Sequence, residues 1–212
     1  GMKYLIMDTE TTGLGSRDEV IQFSGILVNE EFKMSKLYNW YCETSVPITK
    51  EAAATHGLNA NLLHVLSHGY TFEDNWLTME ELLNTPDITF IGWNVSFDIR
   101  LINQTLALNG LNTFDFGTKR KSLKYSNNRN VFDLMHFVAE SMYGRTRVAL
   151  ATATDDTFVK NKDNRGIIDV DEKFKIFAKA TKNDPELSYH NSLYDTFVTY
   201  LLFMRNLHKM FV

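Results

Sequence analysis

The sequence contains little cysteine, little proline and no long apolar run. Its one cysteine, Cys42, cannot form an internal disulfide, so we expect the chain in a reducing cytoplasm. Three prolines and 11 glycines are too few for a low-complexity linker protein. The apolar runs are shorter than a membrane span, which predicts a protein that has no contact with a membrane.

Positive charge is scarce over the first half of the chain. Residues 1–110 carry 6 basic and 14 acidic side chains, residues 111–165 carry 10 basic and 6 acidic ones, and the formal net charge is −4. This distribution excludes a basic field over the whole protein of the kind that coats long duplexes. A local basic band, which includes the run at 119–129, is compatible with an enzyme that acts on a polyanion.

Length and composition favour one globular domain. The chain has 212 residues, of which 44% are hydrophobic and 23% charged, and this is enough to bury a sizeable core. We expect a single domain over residues 2–212, with an insertion at about 144–185. The start of the chain lacks the features of a signal peptide, and Gly1 before Met2 is interpreted as the remnant of an expression tag.

The pattern of apolar residues predicts an α/β fold. Thr71 and Asp74 have the spacing of a capping box at the start of a helix. A hairpin is expected between residues 158–159 and 167–168. The order of the elements predicts a mixed sheet with an antiparallel hairpin at one side. The expected strands are 4–7, 19–28, 32–43, 88–92 and 130–132, and the expected helices are 59–67, 72–84, 95–108, one that ends at Tyr143, 174–180 and 192–210.

Four acidic residues lie at the ends of predicted elements. Asp8 and Glu10 end the first strand, where alternate residues point to the same face. Asp98 and Asp195 each lie in the first turn of a helix. Each acid alone is also explained by helix capping or by a turn. Because ligand sites in open α/β sheets lie beyond the carboxyl ends of strands, the four acids together indicate a shared site.

Three short motifs resemble those of the DEDD exonucleases, a family that includes ribonuclease T, oligoribonuclease and the proofreading subunit of bacterial DNA polymerase III. Residues 8–14, Asp-Thr-Glu-Thr-Thr-Gly-Leu, resemble the first motif, and residues 94–98, Asn-Val-Ser-Phe-Asp, resemble the second. His190 and Asp195 have the spacing of the third motif in its histidine form, H-x₄-D. Residues 48–63 are also similar to the segment before the next helix of the family.

The resemblance implies both a fold and an activity. The fold would be a ribonuclease-H-like, three-layer α/β fold, with a mixed, largely five-stranded sheet and helices on both faces. The activity would be that of a 3′–5′ exonuclease that uses two divalent cations, Mg²⁺ or Mn²⁺. Its substrates would be single-stranded 3′ ends of DNA or RNA, its products 5′-mononucleotides, and its partner, for a proofreading member, a replicative polymerase.

The resemblance also implies a role for each motif residue. Asp8 would bridge the two ions, while Glu10 and Asp195 would help to hold the ion that activates water. Asp98 would act through water or through the second ion. His190 would accept the proton of the attacking water, and the rotation of about 500° over five helical residues requires it to lie before the helix. The terminal nucleotides would lie against Thr11, Leu14, His56, Asn94 and Phe97.

Two other functions agree with parts of the sequence. A non-catalytic module on the same fold would bind nucleic acid or a polymerase, but it would not need the four acids or His190. A haloacid-dehalogenase-type phosphatase also begins with a strand and an Asp-x-Asp pair. Here the second acid is Glu10, and no matched downstream lysine motif is present. Metal-dependent release of nucleotides distinguishes the exonuclease from the non-catalytic module, and transient labelling of Asp8 as an aspartyl-phosphate would support the phosphatase.

Overall fold

A mixed five-stranded sheet forms the centre of the computed structural model, which describes residues 1–117 and 129–211. The strands are β1 Lys3–Thr11, β2 Val20–Val28, β3 Met34–Tyr41, β4 Ile88–Gly92 and β5 Asn130–Asp133. Their order is β3-β2-β1-β4-β5, in which β1 pairs antiparallel with β2 and parallel with β4. The predicted mixed sheet, with an antiparallel hairpin at one side, is confirmed. Of the basic run at 119–129, only Arg129 falls within the described residues.

Helices flank the sheet on both faces. They are α1 Lys50–His56, α2 Ala60–Ser67, α3 Phe72–Leu83, α4 Val95–Leu108, α5 Leu134–Tyr143, α6 Leu150–Thr154, α7 Val170–Ala180, α8 Ser192–Arg205 and α9 Leu207–Met210. A π-helical turn, Asp155–Val159, continues α6. None of the helices in the described ranges is long and apolar enough to cross a membrane.

Alternation along β1 divides the core into two layers. Leu5 and Met7 pack with α3 and α4 against one face of the sheet, which we call the α4 face. Tyr4 and Ile6 pack with α5 and α8 against the other, the α8 face. The three-layer α/β arrangement is therefore confirmed. Because β1 is buried on both faces, its carboxyl end emerges between two layers of helices.

Local signals define the start of α3 as the sequence predicts. The Thr71 hydroxyl accepts a hydrogen bond from the Asp74 N–H at 3.1 Å, and the Asp74 carboxylate accepts one from the Thr71 N–H at 2.9 Å. This reciprocal pair satisfies two N–H groups that the first helical turn leaves without partners. The predicted capping box is confirmed.

The prediction of a hairpin between residues 158–159 and 167–168 is wrong. The Ile168 N–H does donate to the Phe158 carbonyl at 3.0 Å, but Phe158 lies in a π-helical turn and residues 166–169 are irregular, so neither side is a strand. Phe158 is buried in the core of the α8 face, and Arg205 at the end of α8 binds Asp163 in the intervening turn. Contacts with a distant helix therefore determine this segment, rather than pairing between its own two ends.

Several other helices differ from prediction: α6 was not expected, and α7 begins at Val170 rather than at residue 174. The last helix ends at Arg205, because the backbone at Asn206 turns and the Asn206 side chain donates to the Leu202 carbonyl at 2.7 Å. The sequence patterns did not indicate α1, which is short and has no buried residue. Thr49 begins α1 by accepting from the Ala52 N–H, and Gly57 ends it with a φ of 71°.

Candidate active site

Three carboxylates converge at the carboxyl end of β1. Asp8 and Glu10 follow Tyr4 and Ile6 in the alternation of the strand, so both face α8. Asp195 lies in the first turn of α8. One carboxylate oxygen from each residue lies within 4.8 Å of one from each of the other two. We call Asp8, Glu10 and Asp195 the acid trio.

The start of α8 is fixed to the sheet by hydrogen bonds. The Ser192 hydroxyl donates to the Asp8 carbonyl at 2.7 Å, and the Ser192 N–H donates to Oε1 of Gln22 in β2 at 3.1 Å. Asn191 caps the helix by accepting from the Leu193 N–H at 2.9 Å. These bonds place the first turn of α8 over β1. The motifs did not identify Gln22, although a glutamine in a largely apolar strand was a signal for it.

Asp98 approaches the same edge from the α4 face. Its side chain is buried, with 2% exposure, and its Oδ1 accepts from the Thr9 N–H at 2.9 Å and from the Thr9 hydroxyl at 2.6 Å. Thr9 lies between the two β1 acids and points to the opposite face, so β1 connects Asp98 to the acid trio. Asp98 itself lies outside the trio. The sequence motifs included Thr9 but assigned it no function.

Burial and mutual repulsion disfavour the charged forms of these acids. Burial, followed by the charges of Asp98, Asp195 and Glu10, raises the pKa of Asp8 well above its usual value. Burial and the charges of Asp195 and Asp98 raise the pKa of Glu10 to about 9. Burial raises the pKa of Asp98 and that of Asp195 each to about 7. An added positive charge would therefore be strongly favoured here.

The site has the properties of a cation site. Oδ2 of Asp8 is buried without a hydrogen-bond partner among the described residues, an arrangement that is costly unless another group satisfies the oxygen. Hard divalent cations such as Mg²⁺ and Mn²⁺ prefer carboxylate oxygens. The unpartnered oxygen, the short separations within the trio and the raised pKa values all fit a divalent cation.

His190 lies on the loop just before α8, off the helix, as the spacing of the third motif requires. Its φ is 69°, in the left-handed region that few non-glycine residues occupy. In this conformation its backbone N–H donates to the two carboxylate oxygens of Asp195 at 3.2 and 3.3 Å. His190 is exposed to solvent, and its backbone lies next to Asp195 of the acid trio.

A cleft of about 240 Å³ adjoins Glu10. It contains four of the five residues expected to contact nucleotides, and α1 forms one of its walls. Leu14 stands at the cleft with 77% of its surface exposed, whereas Phe97 is half-buried. The lining residues are Thr9, Glu10, Thr11, Gly13, Leu14, Thr49, Glu51, Ala52, Thr55, His56 and Phe97. The fifth expected residue, Asn94, precedes α4 in a left-handed conformation, and its N–H donates to Asp133 at 3.1 Å.

His56 has a structural part in this cleft. Its Nδ1 accepts from the Leu58 N–H at 3.0 Å, so the proton must be on Nε2, which lies 3.0 Å from the Thr11 carbonyl. Burial lowers the pKa of His56, in agreement with a neutral ring. Both ring nitrogens are therefore used to join the end of α1 to the end of β1.

Hydrogen bonds also hold the loop that presents Leu14. The Asp18 carboxylate accepts from the Thr12 hydroxyl at 2.8 Å and from the Gly15 N–H at 2.7 Å. From α4, the Gln104 amide donates to the carbonyls of Gly15 and Asp18 at 2.8 and 2.7 Å. The exposed leucine is thus carried on a well-defined loop. The motifs did not point to Asp18 or Gln104, whose bonds depend on how the loop folds.

Comparisons with known proteins agree with this geometry. The exonuclease family model named RNase_T matches residues 5–203. A protein of Escherichia phage 186, named as the uncharacterized exonuclease CP81, is 30% identical over 112 residues, which are 53% of this chain and 53% of that protein. The chain thus spans about half the length of the curated relative that it matches.

Solved structures share the fold. Escherichia coli exonuclease I in complex with a dT13 oligonucleotide superposes with a TM-score of 0.67 at 15% identity, covering 99% of this chain and 43% of that one. The zinc-ion-bound form of the E. coli exonuclease I complex with single-stranded DNA has a TM-score of 0.67 at 17% identity, covering 99% and 40%. These similarities identify a ribonuclease-H-like fold.

Proposed function

Since this chain belongs to the DEDD-type exonuclease family, we propose that it removes nucleotides from the single-stranded 3′ ends of DNA or RNA and releases 5′-mononucleotides. The observation that carries the proposal is the acid trio at the carboxyl end of β1, directly beside a cleft that shares Glu10 with it. A phosphodiester is an anion, so it would bind here only together with cations that offset the carboxylates.

Two divalent cations, Mg²⁺ or Mn²⁺, are the proposed cofactors. Asp8, Glu10 and Asp195 would hold them, with Asp98 acting from the α4 face. Bound at this site, such cations supply a nucleophilic water at neutral pH and stabilise the leaving oxygen. The zinc-bound complex of exonuclease I supports a cation site and a single strand on this fold.

His190 is the proposed general base. The hydrogen bonds from its backbone to Asp195 hold the loop at the acid trio, and the residue is exposed, so its imidazole would be free to turn toward a water there. A neutral imidazole has a free nitrogen lone pair that accepts the proton of the attacking water. The third motif would thus combine a carboxylate on the helix with a base on the preceding loop.

The cleft is the proposed site of the 3′-terminal nucleotide. Leu14 and Phe97 offer apolar surfaces to its base and sugar, while Thr11 and Glu10 place the connecting phosphate next to the acid trio. Apolar contacts with a base tolerate any sequence, so we expect little base preference and a preference for unpaired ends. The oligonucleotide complex of exonuclease I supports a single-stranded substrate.

The direct test is the digestion of 5′-labelled DNA and RNA oligomers with Mg²⁺ or Mn²⁺, with every product resolved. We expect a ladder that shortens from the 3′ end, release of 5′-mononucleotides, and resistance of a circular single strand. Cleavage of the circle at a comparable rate would contradict an exonuclease.

Four single variants test the shared site. Asp8→Ala, Glu10→Ala, Asp98→Ala and Asp195→Ala should each lose most of the activity while remaining folded. Glu140→Ala, an exposed acid on α5, is the matched control and should retain activity. Full activity in two of the four variants would exclude a shared site.

A further inference from the structure

A basic loop lies close to the carboxyl edge of the sheet on the α8 face. After α5 the chain doubles back through residues 144–149. The Thr146 carbonyl lies 2.6 Å from Nδ1 of His136, in the first turn of α5, and the Val148 carbonyl accepts from the indole N–H of Trp93 at 2.9 Å. Trp93 directly follows the carboxyl end of β4, and His136 lies three residues after the carboxyl end of β5. Arg147 lies between Thr146 and Val148, the two residues whose carbonyls are anchored.

The same loop belongs to the core that supports the acid trio. Val148 is 6% exposed and lies in one buried cluster with Leu193 and Tyr194, which precede Asp195 in the first turn of α8. Arg147 itself is exposed. A buried neighbour and two anchored carbonyls thus hold its backbone, while its side chain remains in solvent.

The charge of Arg147 has no carboxylate partner among the residues that the structure describes. Neither Arg145 nor Arg147 forms an ion pair with a carboxylate in the part of the chain that the structure describes. The Arg145 guanidinium lies 5.0 Å from the Tyr143 ring, so this neighbour has a packing partner. Arg147 is therefore the free cation between the two anchors, as far as the described residues show.

The two faces of β1 indicate where a bound strand would run. Thr9, Thr11 and Phe97 line the cleft from the α4 face, Glu10 belongs to both the cleft and the acid trio, and Asp8 and Asp195 lie beyond it on the α8 face. A strand whose last nucleotide fills the cleft and whose scissile phosphate reaches the trio would continue toward the α8 face. The basic loop lies at that side of the same edge.

We propose that Arg147 binds a backbone phosphate of the single strand on the 5′ side of the scissile bond. This rests on the proposed function, because it takes the position of the strand end from the cleft and the acid trio. The planar guanidinium offers paired N–H donors to phosphate oxygens. It would also offset part of the repulsion between the strand and the acidic site.

The test measures binding separately from hydrolysis. A 5′-fluorescein-labelled oligothymidylate 12-mer is titrated with the Glu10→Gln protein, with or without Arg147→Ala, by anisotropy between 0.05 and 0.3 M NaCl in Mn²⁺. One lost phosphate contact on a single strand should reduce the slope of log K against log salt by about 0.7, which is roughly threefold weaker binding at about 0.2 M. Arg147→Glu should weaken binding further, by roughly 10-fold or more, because it adds repulsion.

Arg165→Ala is the matched control. Arg165 is an exposed arginine in the turn bound by Arg205, ten residues along α8 from Asp195 and so about 15 Å away from the site along the helix. The Arg165→Ala protein should have the same affinity for the oligomer, and the same slope of log K against log salt, as the protein without this change. An Arg147→Ala protein that binds like the parent, or an equal loss in Arg165→Ala, would overturn the proposal.

A second measurement separates this inference from the proposed function. In the otherwise unaltered enzyme, Arg147→Ala should reduce kcat/KM for the 12-mer about threefold more than kcat/KM for thymidine 5′-(4-nitrophenyl phosphate), which has no upstream phosphate. If the parent protein hydrolyses neither substrate, the proposed function fails, and the anisotropy titrations still decide whether Arg147 contacts the strand. Equal losses on the two substrates would refute an upstream contact.

Discussion

At the level of single residues, three of the four acids are held by hydrogen bonds from hydroxyl or backbone N–H groups. The Thr9 side chain and N–H hold Asp98, Ser192 binds the backbone of Asp8, and the N–H of His190 binds Asp195. Hydrogen bonds to a carboxylate favour its charged form, and the Thr9 bonds lower the pKa of Asp98 against the larger effect of burial. Such neighbours adjust how readily each acid can bind a cation.

Thr9→Val is predicted to weaken cation binding without removing any carboxylate. Loss of the 2.6 Å hydroxyl bond should raise the pKa of Asp98 further, so that a proton competes more strongly with the metal. Calorimetric titration with Mn²⁺ at pH 6.5 should show an affinity lower by on the order of 10-fold, since hydrogen bonds to charged groups contribute about 1.5–3 kcal/mol.

Two controls define the Thr9 prediction. Thr9→Ser keeps the hydroxyl and should bind Mn²⁺ as the parent does. At pH 8.5 the difference in Mn²⁺ affinity between Thr9→Val and the parent should shrink, because protons then compete less with the metal for Asp98 in both proteins. If Thr9→Val loses the same amount of Mn²⁺ affinity at both pH values, the hydroxyl does not act through the proton on Asp98.

His190→Ala is predicted to separate catalysis from metal binding. The variant retains all four carboxylates, so its Mn²⁺ affinity should be close to that of the parent. Its single-turnover rate should fall roughly 10²–10⁴-fold, the usual range for loss of a general base. Asp195→Ala should lose both properties. His208→Ala, on α9 at the far end of α8, is the control that should retain both.

Two outcomes of these measurements would contradict the role of His190 as the general base. Parent-like cleavage by His190→Ala would show that another group accepts the proton. A His190→Ala protein that fails only because it no longer binds Mn²⁺ would show that the loop acts by shaping the metal site.

At the level of secondary-structure elements, the decisive contact is the docking of α8 onto the sheet. The helix begins over β1 and β2, and the buried amide of Gln22 connects three parts of the chain. Its Oε1 accepts from the Ser192 N–H, while its Nε2 donates to Oδ1 of Asn191 at 3.2 Å and to Oδ1 of Asn39 at 3.0 Å. One side chain thereby sets the position of the turn that carries Asp195.

Gln22→Leu is predicted to destabilise the protein and to disturb the metal site together. The apolar side chain leaves the buried Ser192 N–H without its partner, which costs about 1–3 kcal/mol in the free energy of unfolding. Urea denaturation should show this loss, and Mn²⁺ affinity should fall as the first turn of α8 loosens. Lys36→Ala, an exposed residue on β3, serves as the control. Parent-like stability and Mn²⁺ affinity in Gln22→Leu would contradict this role.

At the level of the whole molecule, the fold concentrates negative charge where two helical layers meet the end of one strand. All four acids have a pKa above the value of about 4 that carboxyls have in an unfolded chain. Between about pH 4 and 9, the unfolded chain therefore releases protons that the folded, metal-free chain retains. Stability contributed by this site must fall as the pH rises through that range.

The metal-free protein is accordingly predicted to have a lower Tm at pH 8 than at pH 5.5. Asp8→Asn removes one of the repelling charges and should flatten this dependence. Saturating Mn²⁺ should raise the Tm of the parent at pH 8 and have little effect on Asp8→Asn, because a ligand that binds only the folded state stabilises it. For a chain of this size, each 1 kcal/mol corresponds to about 2–4 °C in Tm.

Differential scanning calorimetry in EDTA and in Mn²⁺ provides this measurement. Equal slopes of Tm against pH for the parent and for Asp8→Asn, both without metal, would show that the acidic site is not the source of the dependence. Ion pairs elsewhere do not confuse the comparison, because they are the same in both proteins.

Most of the fold and the site could be predicted from local patterns. The strands, the capping box at Thr71 and the loop position of His190 follow from interactions over a few residues, and such interactions are visible in the sequence. The spacing of Asp8 and Glu10 likewise placed them on one face of β1, and the structure brings them to Asp195. Their roles in catalysis remain predictions.

The remainder depended on contacts between distant parts of the chain. Thr9 and Asp98 are 89 residues apart, and Gln22 and Ser192 are 170 apart, so no local pattern reveals their hydrogen bonds. The same holds for the segment at 158–168, whose turn is fixed by Arg205 and not by pairing of its ends. The sequence by itself determined which residues are the candidates for the chemistry, because residue type and short spacing are local properties. Only the tertiary structure decided how they are held and buried, because hydrogen bonds and burial between elements exist only once the elements have packed together.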